Sequence, residues 1–242
     1  MSVELLAPAG SLEAVRTALH FGADAVYAGG PMLQLRAGSA GFSFAELHEA
    51  AALLHSAGQK ISVTVNCFAD NSEIAAVPAY ARELLQCGAD AAIVSDLGVV
   101  AAIKESEPTL PVHISTQANT VNYKAAELWH KLGASRVVLG REMRLEDIRY
   151  LREHTPPTLE IEAFVHGAMC MAYSGRCLIS SFLSNRSGNR GDCTQPCRWS
   201  YYLVEEKRPG MHIPICEEDG ATAILSSSDL NCIVHARAAV HP

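Results

Sequence analysis

Four cysteines in the last third of the chain have the number and spacing of a metal or cluster site. The pattern is Cys-x6-Cys-x15-Cys-x3-Cys, formed by Cys170, Cys177, Cys193 and Cys197. Four thiolates on a glycine-rich loop are the ligands that a four-iron cluster requires. Structural zinc is the main alternative, although zinc sites usually take paired Cys-x2-4-Cys knuckles and only the second pair here comes near that spacing. Redox or unliganded thiols are a third interpretation, and Cys216 or Cys232 could replace Cys197 as the fourth ligand.

The segment around these cysteines is also rich in arginine and aromatic residues. A single acid, Asp192, stands against four arginines, which are Arg176, Arg186, Arg190 and Arg198. The interleaved or adjacent aromatic residues are Tyr173, Phe182, Trp199, Tyr201 and Tyr202. Arginine and aromatic side chains together suit RNA phosphates and unstacked bases, so we expect these arginines to contact RNA. The alternative is ordinary loop solvation and packing around a cluster.

The composition is that of a protein with a large core and no general attraction to polyanions. Of the 242 residues 49% are hydrophobic, and the formal net charge is −7. This charge excludes a uniformly basic surface but not a local basic patch. No apolar run reaches the roughly 18 residues of a membrane span, and the opening MSVELLAPAG lacks the features of a signal peptide. We therefore expect a cytoplasmic protein, in which the eight cysteines are ligands, catalytic groups or buried thiols rather than disulfides.

Short apolar runs alternate with helical patterns along the first 165 residues. Most of the runs are continuously apolar, which is typical of a parallel sheet covered by helices. The predicted strands are Glu4–Ala7, Ala25–Ala28, Ile61–Val65, Ala91–Ser95, Val112–Ser115, Arg136–Leu139 and Glu160–Val165. The predicted helices are one capped by Ser11, followed by Phe44–Ser56, Ala75–Gln86, Ala125–Lys131 and Leu145–Glu153.

A weak internal repeat indicates a chain built from βα units. Gly22-Ala-Asp-Ala-Val-Tyr recurs as Gly88-Ala-Asp-Ala-Ala-Ile and as Gly133-Ala-Ser-Arg-Val-Val. Each glycine is placed to end a helix with a positive φ, and the apolar residues after it open a strand. Seven such strands favour an α/β fold of the (β/α)8 TIM-barrel type over a doubly wound sheet. No eighth strand is visible in the sequence, so we expect a barrel truncated before that strand. Residues 1–168 would form its body, and 169–242 a cysteine- and arginine-rich region that starts the last unit.

Polar residues follow several predicted strands at their carboxyl ends, where βα barrels place their catalytic groups. Asn66 follows the third strand, Gln117 the fifth, Arg141 the sixth and His166 the seventh. These four residues are the candidate catalytic set, and Arg141 and His166 could bind an anionic ligand. The alternative for each of them is a loop cap. Neither a phosphate-binding glycine loop nor a Gly-x-Ser-x-Gly nucleophile elbow occurs in the sequence.

The run from Glu162 to Ser180 resembles the signature of the U32, or collagenase-like, peptidase family. That signature is Glu-x-Phe-x2-Gly-[Ser/Ala]-x-Cys followed by Gly-x-Cys-x-x-Ser. Its matches here are Glu162, Phe164, Gly167, Ala168, Cys170, Gly175, Cys177 and Ser180. The opening Glu4-Leu-Leu-Ala-Pro-Ala-Gly and the segment from Gly22 are also similar to the family, so the resemblance spans nearly the whole chain. Ser226-Ser-Ser-Asp-Leu-Asn departs from the Asn-Ser-Lys/Arg-Asp-Leu that the family usually has.

Within the family, the resemblance is strongest to the branch that hydroxylates tRNA. It is carried by Ser115-x-Gln-Ala-Asn, Arg208-Pro-Gly and Cys193-Thr-x-x-Cys-Arg-Trp. This resemblance implies oxygen-independent hydroxylation of the wobble uridine of tRNA to 5-hydroxyuridine, with prephenate as cosubstrate. It also implies a [4Fe-4S] cluster, for which Cys170, Cys177 and Cys193 carry over most firmly and Cys197 only from the tRNA branch. Other relatives modify ribosomal RNA or hydroxylate a quinone precursor, and the older family label is peptidase, so these activities are the alternatives.

Overall fold

The main feature of the fold is a sheet of seven parallel strands, in which each strand pairs with the next one along the chain. The computed structural model describes residues 3–35, 41–167, 170, 172, 176–199, 201–214 and 230–232. The strands are β1 (Leu6–Ala9), β2 (Ala25–Gly29), β3 (Lys60–Val65), β4 (Ala91–Val94), β5 (Val112–Ile114), β6 (Arg136–Val138) and β7 (Glu160–Glu162). All seven predicted strands are therefore present, and their order and direction confirm the predicted βα units.

Helices connect consecutive strands of the sheet. They are α1 (Leu12–His20), α2 (Phe44–Ser56), α3 (Asn71–Ile74), α4 (Val77–Gln86), α5 (Leu97–Ser106), α6 (Tyr123–Lys131) and α7 (Leu145–Glu153). Ser11 caps α1 as predicted, because its hydroxyl accepts a backbone N–H from the first turn. Gly22, Gly88 and Gly133 have φ of +84°, +88° and +95° just after helices, which confirms the repeated helix-to-strand joint. None of the described helices is long and apolar enough to cross a membrane.

The described elements beyond β7 are short. They are β8 (His166–Gly167), α8 (Ile179–Ser184), β9 (Tyr202–Val204), β10 (His212–Pro214) and β11 (Leu230–Asn231). β9 pairs antiparallel with β10, and β8 pairs antiparallel with β11. Within the described ranges β1 and β7 are the two edges of the main sheet, which is an open, barrel-like arrangement of seven strands. This agrees with the expected barrel that lacks its eighth strand, and the predicted boundary at 168 and 169 falls outside the described residues.

The two faces of the main sheet differ in chemistry. One face joins the helices in a single hydrophobic core, to which the strands contribute Val26, Val63, Ala92, Val94 and Val137. Because side chains alternate along a strand, the residues between these point to the opposite face, which we call the inner face. Register places several polar residues there, namely Ser62, Thr64, His113, Arg136 and Glu162. The inner face therefore carries a polar group among apolar residues such as Ile93 and Val138, and four of these five polar residues are buried.

One arginine on the inner face holds three carboxylates. The Arg136 guanidinium lies 2.6 Å from Glu4 Oε1, 2.6 Å from Glu160 Oε2 and 3.2 Å from Glu162 Oε2. Only 11% of the Arg136 side chain is exposed. Burial raises the pKa of Glu162, and the neighbouring Arg136 opposes that shift. Since Glu4 precedes β1 and the other two carboxylates lie on β7, this charged cluster links the two edge strands of the sheet.

His113 is expected to make the stability of the fold depend on pH. Burial lowers the pKa of His113 to about 3, and the nearby charges of Arg136 and Lys60 act in the same direction. In the unfolded chain this pKa is about 6.5, so below that pH the unfolded state binds a proton that the folded state does not, and stability falls as the pH falls. Between pH 7 and pH 5 the wild type should lose about 2 kcal/mol more than His113→Gln does. Urea unfolding of both proteins at the two pH values measures this difference, and equal losses would contradict the assignment.

Candidate functional site

The carboxyl ends of β3, β4 and β5 are joined by a short chain of hydrogen bonds. Asn66 Nδ2 donates to Ser115 Oγ over 3.3 Å, and Ser95 Oγ donates to the carbonyl oxygen of Asn66 over 2.9 Å. Ser115 Oγ also accepts the backbone N–H of Gln117 over 3.3 Å. Two predicted site residues, Asn66 and Gln117, therefore meet at Ser115. Ser115 is absent from the predicted set because the predicted strand Val112–Ser115 includes it as its last residue, whereas β5 ends at Ile114.

Three polar atoms near these strand ends are buried without a hydrogen-bond partner among the described residues. They are Asn66 Oδ1, Asn119 Oδ1 and Thr120 Oγ1. Thr120 is only 1% exposed, and its carbonyl oxygen accepts the N–H of Gly140, which follows β6, over 3.0 Å. Buried polar atoms normally have a partner in the protein, in ordered water or in a ligand. The strand ends therefore offer hydrogen-bonding capacity that suits a polar ligand.

The two predicted anion-binding residues stand near the ends of β6 and β7. The Arg141 guanidinium carbon lies 5.5 Å from the centre of the Phe164 ring, which is a cation–π distance. His166 is exposed on β8, where it pairs in register with Asn231 of β11. The structure thus places Arg141 beside the residues that follow β7 and His166 on a short hairpin, whereas Asn66 and Gln117 share Ser115.

The four predicted ligand cysteines lie on one segment, residues 170–199, which we call the cysteine loop. The described cysteines are thiols rather than disulfides. Cys177 Sγ accepts the backbone N–H of Ile179 over 3.4 Å, and Cys193 Sγ accepts that of Gln195 over 3.3 Å. Hydrogen bonds to sulfur stabilise its negative charge and tune thiolate-bound metal centres. The donor set therefore fits the ligand chemistry of an iron–sulfur cluster.

The cysteine loop does not form a preorganised metal site in the part of the chain that the structure describes. No group of three or more His, Cys, Asp or Glu side chains in these ranges is arranged to hold one metal ion. Cys193 is exposed, and three cysteines are half-buried, namely Cys170, Cys177 and Cys197. Of the two reserve ligands, Cys232 donates its N–H to the Val165 carbonyl over 2.7 Å, whereas Cys216 lies outside the described residues. Convergence of four thiolates on a cluster therefore stays a prediction.

Among the predicted RNA-binding arginines, Arg186 and Arg190 form ion pairs within the protein. Arg186 Nε donates to Asp192 Oδ1 over 2.8 Å, and this contact lowers the pKa of Asp192. Arg190 Nη2 lies 2.7 Å from Glu73 Oε1, beyond the cysteine loop on α3. Glu73 is a partner that the sequence pattern does not indicate, because it stands 117 residues away. The RNA contact of these arginines stays a prediction.

Large aromatic side chains are exposed on the cysteine loop, as we expect if this segment binds RNA. Phe182 on α8 is 87% exposed, and Trp199 is 48% exposed. The two remaining arginines of the predicted set, Arg176 and Arg198, are also exposed. The guanidinium carbon of Arg176 lies 6.0 Å from the centre of the Phe68 ring. Exposed aromatic rings provide surfaces on which unstacked bases stack.

The fold and the site together define a TIM-like βα protein with a polar site at the strand ends and a cysteine loop beside it. Residues 10–240 match the model of peptidase family U32, so the chain belongs to this family, as its sequence signature predicts. The tRNA hydroxylation protein P of Escherichia coli (strain K12) is 36% identical, over 96% of this chain and 60% of that protein. The 23S rRNA 5-hydroxycytidine C2501 synthase of the same organism is 38% identical, over 85% of this chain and 30% of that protein.

A solved structure supports the fold independently. The U32 peptidase Mk0906 superimposes with a TM-score of 0.58 at 13% sequence identity, over 69% of this chain and 70% of that one. The chain spans about half the length of the curated relatives it matches.

Proposed function

We propose that the protein hydroxylates RNA, converting the wobble uridine of tRNA into 5-hydroxyuridine without molecular oxygen. The observation that carries this proposal is the 36% identity, over 96% of the chain, to a tRNA hydroxylation protein. A second relative is named a 23S rRNA 5-hydroxycytidine synthase, so both names share hydroxylation of RNA. Because the chain spans only part of each relative, the activity and the substrate belong to the proposal. An RNA substrate of this kind also favours a cytoplasmic location.

The proposed cofactor is a [4Fe-4S] cluster held by Cys170, Cys177, Cys193 and Cys197. When bound, such a cluster supplies electron transfer at a potential set by its protein environment. The backbone N–H groups of Ile179 and Gln195 already point at two of these sulfur atoms and would offset part of the thiolate charge. The peptide N–H of Cys177 donates to Asn189 Oδ1 over 3.0 Å, which orients the loop at this ligand.

Prephenate is the proposed cosubstrate. Conversion of C5–H into C5–OH adds one oxygen atom and removes two electrons from the uracil ring, so the reaction needs a second reactant that donates the oxygen atom and is reduced by two electrons, which is the part proposed for prephenate. Prephenate carries two carboxylates, for which Arg141 and His166 are the proposed cationic partners at the strand ends. The buried acceptors Asn66 Oδ1 and Thr120 Oγ1 suit a donor group such as the N3–H of uracil. Gln117, next to Ser115, completes the proposed polar site.

The proposed RNA surface is the cysteine loop. Its exposed aromatic residues, Phe182 and Trp199, would stack on bases of a single-stranded loop. Phosphate contacts are assigned to arginines of the same loop, namely Arg176, Arg186 and Arg198, whereas Arg190 is paired with Glu73.

Deletion of the gene is expected to abolish 5-hydroxyuridine at the wobble position of tRNA. Cells are grown with and without oxygen, and mass spectrometry of nucleosides from their purified tRNA measures the modification. A plasmid copy of the full gene should restore it. The family name favours peptidase activity as the second candidate. That alternative would be established by two results together: the purified iron-free protein hydrolyses gelatin, and the tRNA of the deletion strain keeps its normal 5-hydroxyuridine. Loss of a hydroxylated ribosomal base or of quinone, with tRNA unchanged, would reassign the substrate.

A further inference from the structure

Arg190 crosses from the cysteine loop to the barrel body. Its Nη2 lies 2.7 Å from Glu73 Oε1 and its Nη1 lies 3.2 Å from Glu73 Oε2, so the guanidinium forms a bidentate ion pair with the carboxylate. Nη1 also donates to the carbonyl oxygen of Phe68 over 3.3 Å and lies 3.9 Å from Asp70 Oδ2. Bidentate contacts between arginine and carboxylate specify geometry more strongly than single ion pairs do. The contact therefore defines how the cysteine loop lies on the loop that follows β3.

The carboxylate that receives Arg190 is itself held in place. Glu73 Oε2 accepts the backbone N–H of Asp70 over 2.9 Å, and Asp70 Oδ1 accepts the backbone N–H of Glu73 over 3.1 Å. This reciprocal arrangement is the capping box of α3. Because the capping box orients Glu73, its partner Arg190 docks on a rigid acceptor rather than on a mobile surface side chain.

Asn189, the residue before Arg190, makes a second bridge. Its carbonyl oxygen lies 3.8 Å from Cys67 Sγ, and its side-chain Oδ1 accepts the backbone N–H of Cys177 over 3.0 Å. Cys67 is only 4% exposed and directly follows Asn66. The dipeptide Asn189-Arg190 therefore contacts a predicted cluster ligand on one side and the residues after β3 on the other.

We propose that Arg190 is a positioning residue that, through Glu73, holds the cysteine loop against the strand ends beside Asn66. This role differs from the RNA contact that an arginine-rich sequence indicates for Arg190. Because Asn189, next to Arg190, accepts the N–H of Cys177, a cluster held by this loop would be fixed relative to the residues that follow β3. The docking itself follows from the contacts above, whereas its use in electron transfer rests on the proposed function.

Labelling of Cys67 measures the docking directly. Iodoacetamide treatment of the full protein, followed by peptide-level mass spectrometry, should find Cys67 protected in the wild type. Arg190→Gln is expected to raise the Cys67 labelling rate by about tenfold, because the loop opens more often. Burial raises the pKa of Cys67, and Arg190 opposes that shift. Loss of the arginine charge alone would therefore leave less thiolate and slow the labelling, so a faster rate reports opening.

Matched variants separate docking from other effects. Glu73→Gln should raise Cys67 labelling as Arg190→Gln does, and Arg190→Lys should restore part of the protection. Arg186→Gln is the control, because its ion pair with Asp192 stays within the cysteine loop, and Cys67 should keep its wild-type protection. Unchanged Cys67 labelling in both Arg190→Gln and Glu73→Gln would overturn the proposal, whatever the iron content of the protein.

A second readout concerns the cluster. In Arg190→Gln the cysteines are intact, so we expect iron close to the wild-type level, a shifted reduction potential in an EPR-monitored titration, and a lower kcat with little change in the KM for tRNA. A raised KM with Cys67 still protected would identify Arg190 as an RNA contact and overturn the positioning role. If the wild-type protein contains no iron but Arg190→Gln still exposes Cys67, the proposed function is refuted and the docking role of Arg190 stands.

Discussion

Replacing Cys177 by serine is expected to remove the proposed iron–sulfur cluster and, with it, the proposed hydroxylation of tRNA. Cys177 belongs to the cysteine loop, where its sulfur accepts one backbone N–H and its own N–H donates to Asn189. A serine hydroxyl is a harder and weaker ligand for cluster iron than a thiolate. Iron and sulfide in anaerobically purified protein should fall from about four of each per chain to near zero. The 5-hydroxyuridine of tRNA should fall to the level of the deletion strain.

The matched control for this variant is Cys87→Ala. Cys87 follows α4 and contacts the Phe44 carbonyl in the hydrophobic core, away from the cysteine loop, so its loss should leave the iron content unchanged. The same assay on Cys197→Ser and Cys232→Ser tests the fourth ligand, and we expect the larger loss at Cys197. Zinc in place of iron and sulfide in the wild type would refute the redox interpretation of the site.

Replacing Arg136 by methionine is expected to destabilise the fold by about 3–5 kcal/mol. The variant keeps an unbranched stem like that of arginine but leaves Glu4, Glu160 and Glu162 together on the inner face without the Arg136 cation. A loss of this size is a large part of the roughly 5–15 kcal/mol by which a typical domain is stable. Urea unfolding at neutral pH, with comparison of the midpoint and the slope, measures the change.

The Arg136 variant also carries a pH signature. Burial already raises the pKa of Glu162, and without Arg136 the shift grows, so the folded state binds protons that the unfolded state does not. The stability difference from wild type should therefore shrink as the pH falls through the raised pKa of Glu162 toward the unfolded glutamate pKa of about 4.3. Arg82→Met is the control, because Arg82 is 61% exposed and its pair with Glu107 should contribute no more than about 1 kcal/mol. Equal losses in the two variants would contradict the role of the charged cluster.

The strands and their order could be predicted because their signal is local. Continuous apolar runs such as Ile61–Val65 need no knowledge of distant residues to indicate a buried parallel strand. The glycines after the helices are equally local, because the helix end at Gly22 or Gly88 requires a positive φ in itself. The helix α5 is missing from the predicted helices. Apolar residues such as Val99, Val100 and Ala101 cover most of its circumference, and this hides the helical period.

The contacts of charged residues could not be predicted because they depend on register and on distant partners. Arg136 reads as the first residue of a strand, and nothing near it indicates that Glu4, 132 residues away, would pair with it. His113 reads as one polar residue in an apolar strand, although alternation turns it toward the inner face. Arg190 illustrates the same problem in the candidate site, because composition indicates a nucleic-acid contact while the fold supplies Glu73.

The contact between Arg190 and Glu73 also bears on the order in which the chain acquires its structure. The two residues enclose most of the sheet, from β4 to β7, and closing so long a segment is entropically costly until the intervening units have formed. We therefore expect the barrel body to fold first and the cysteine loop to settle on it as a late step. A newly made chain would then reach a folded barrel whose loop thiols are still accessible, which would leave an interval for delivery of the proposed cluster before the loop closes.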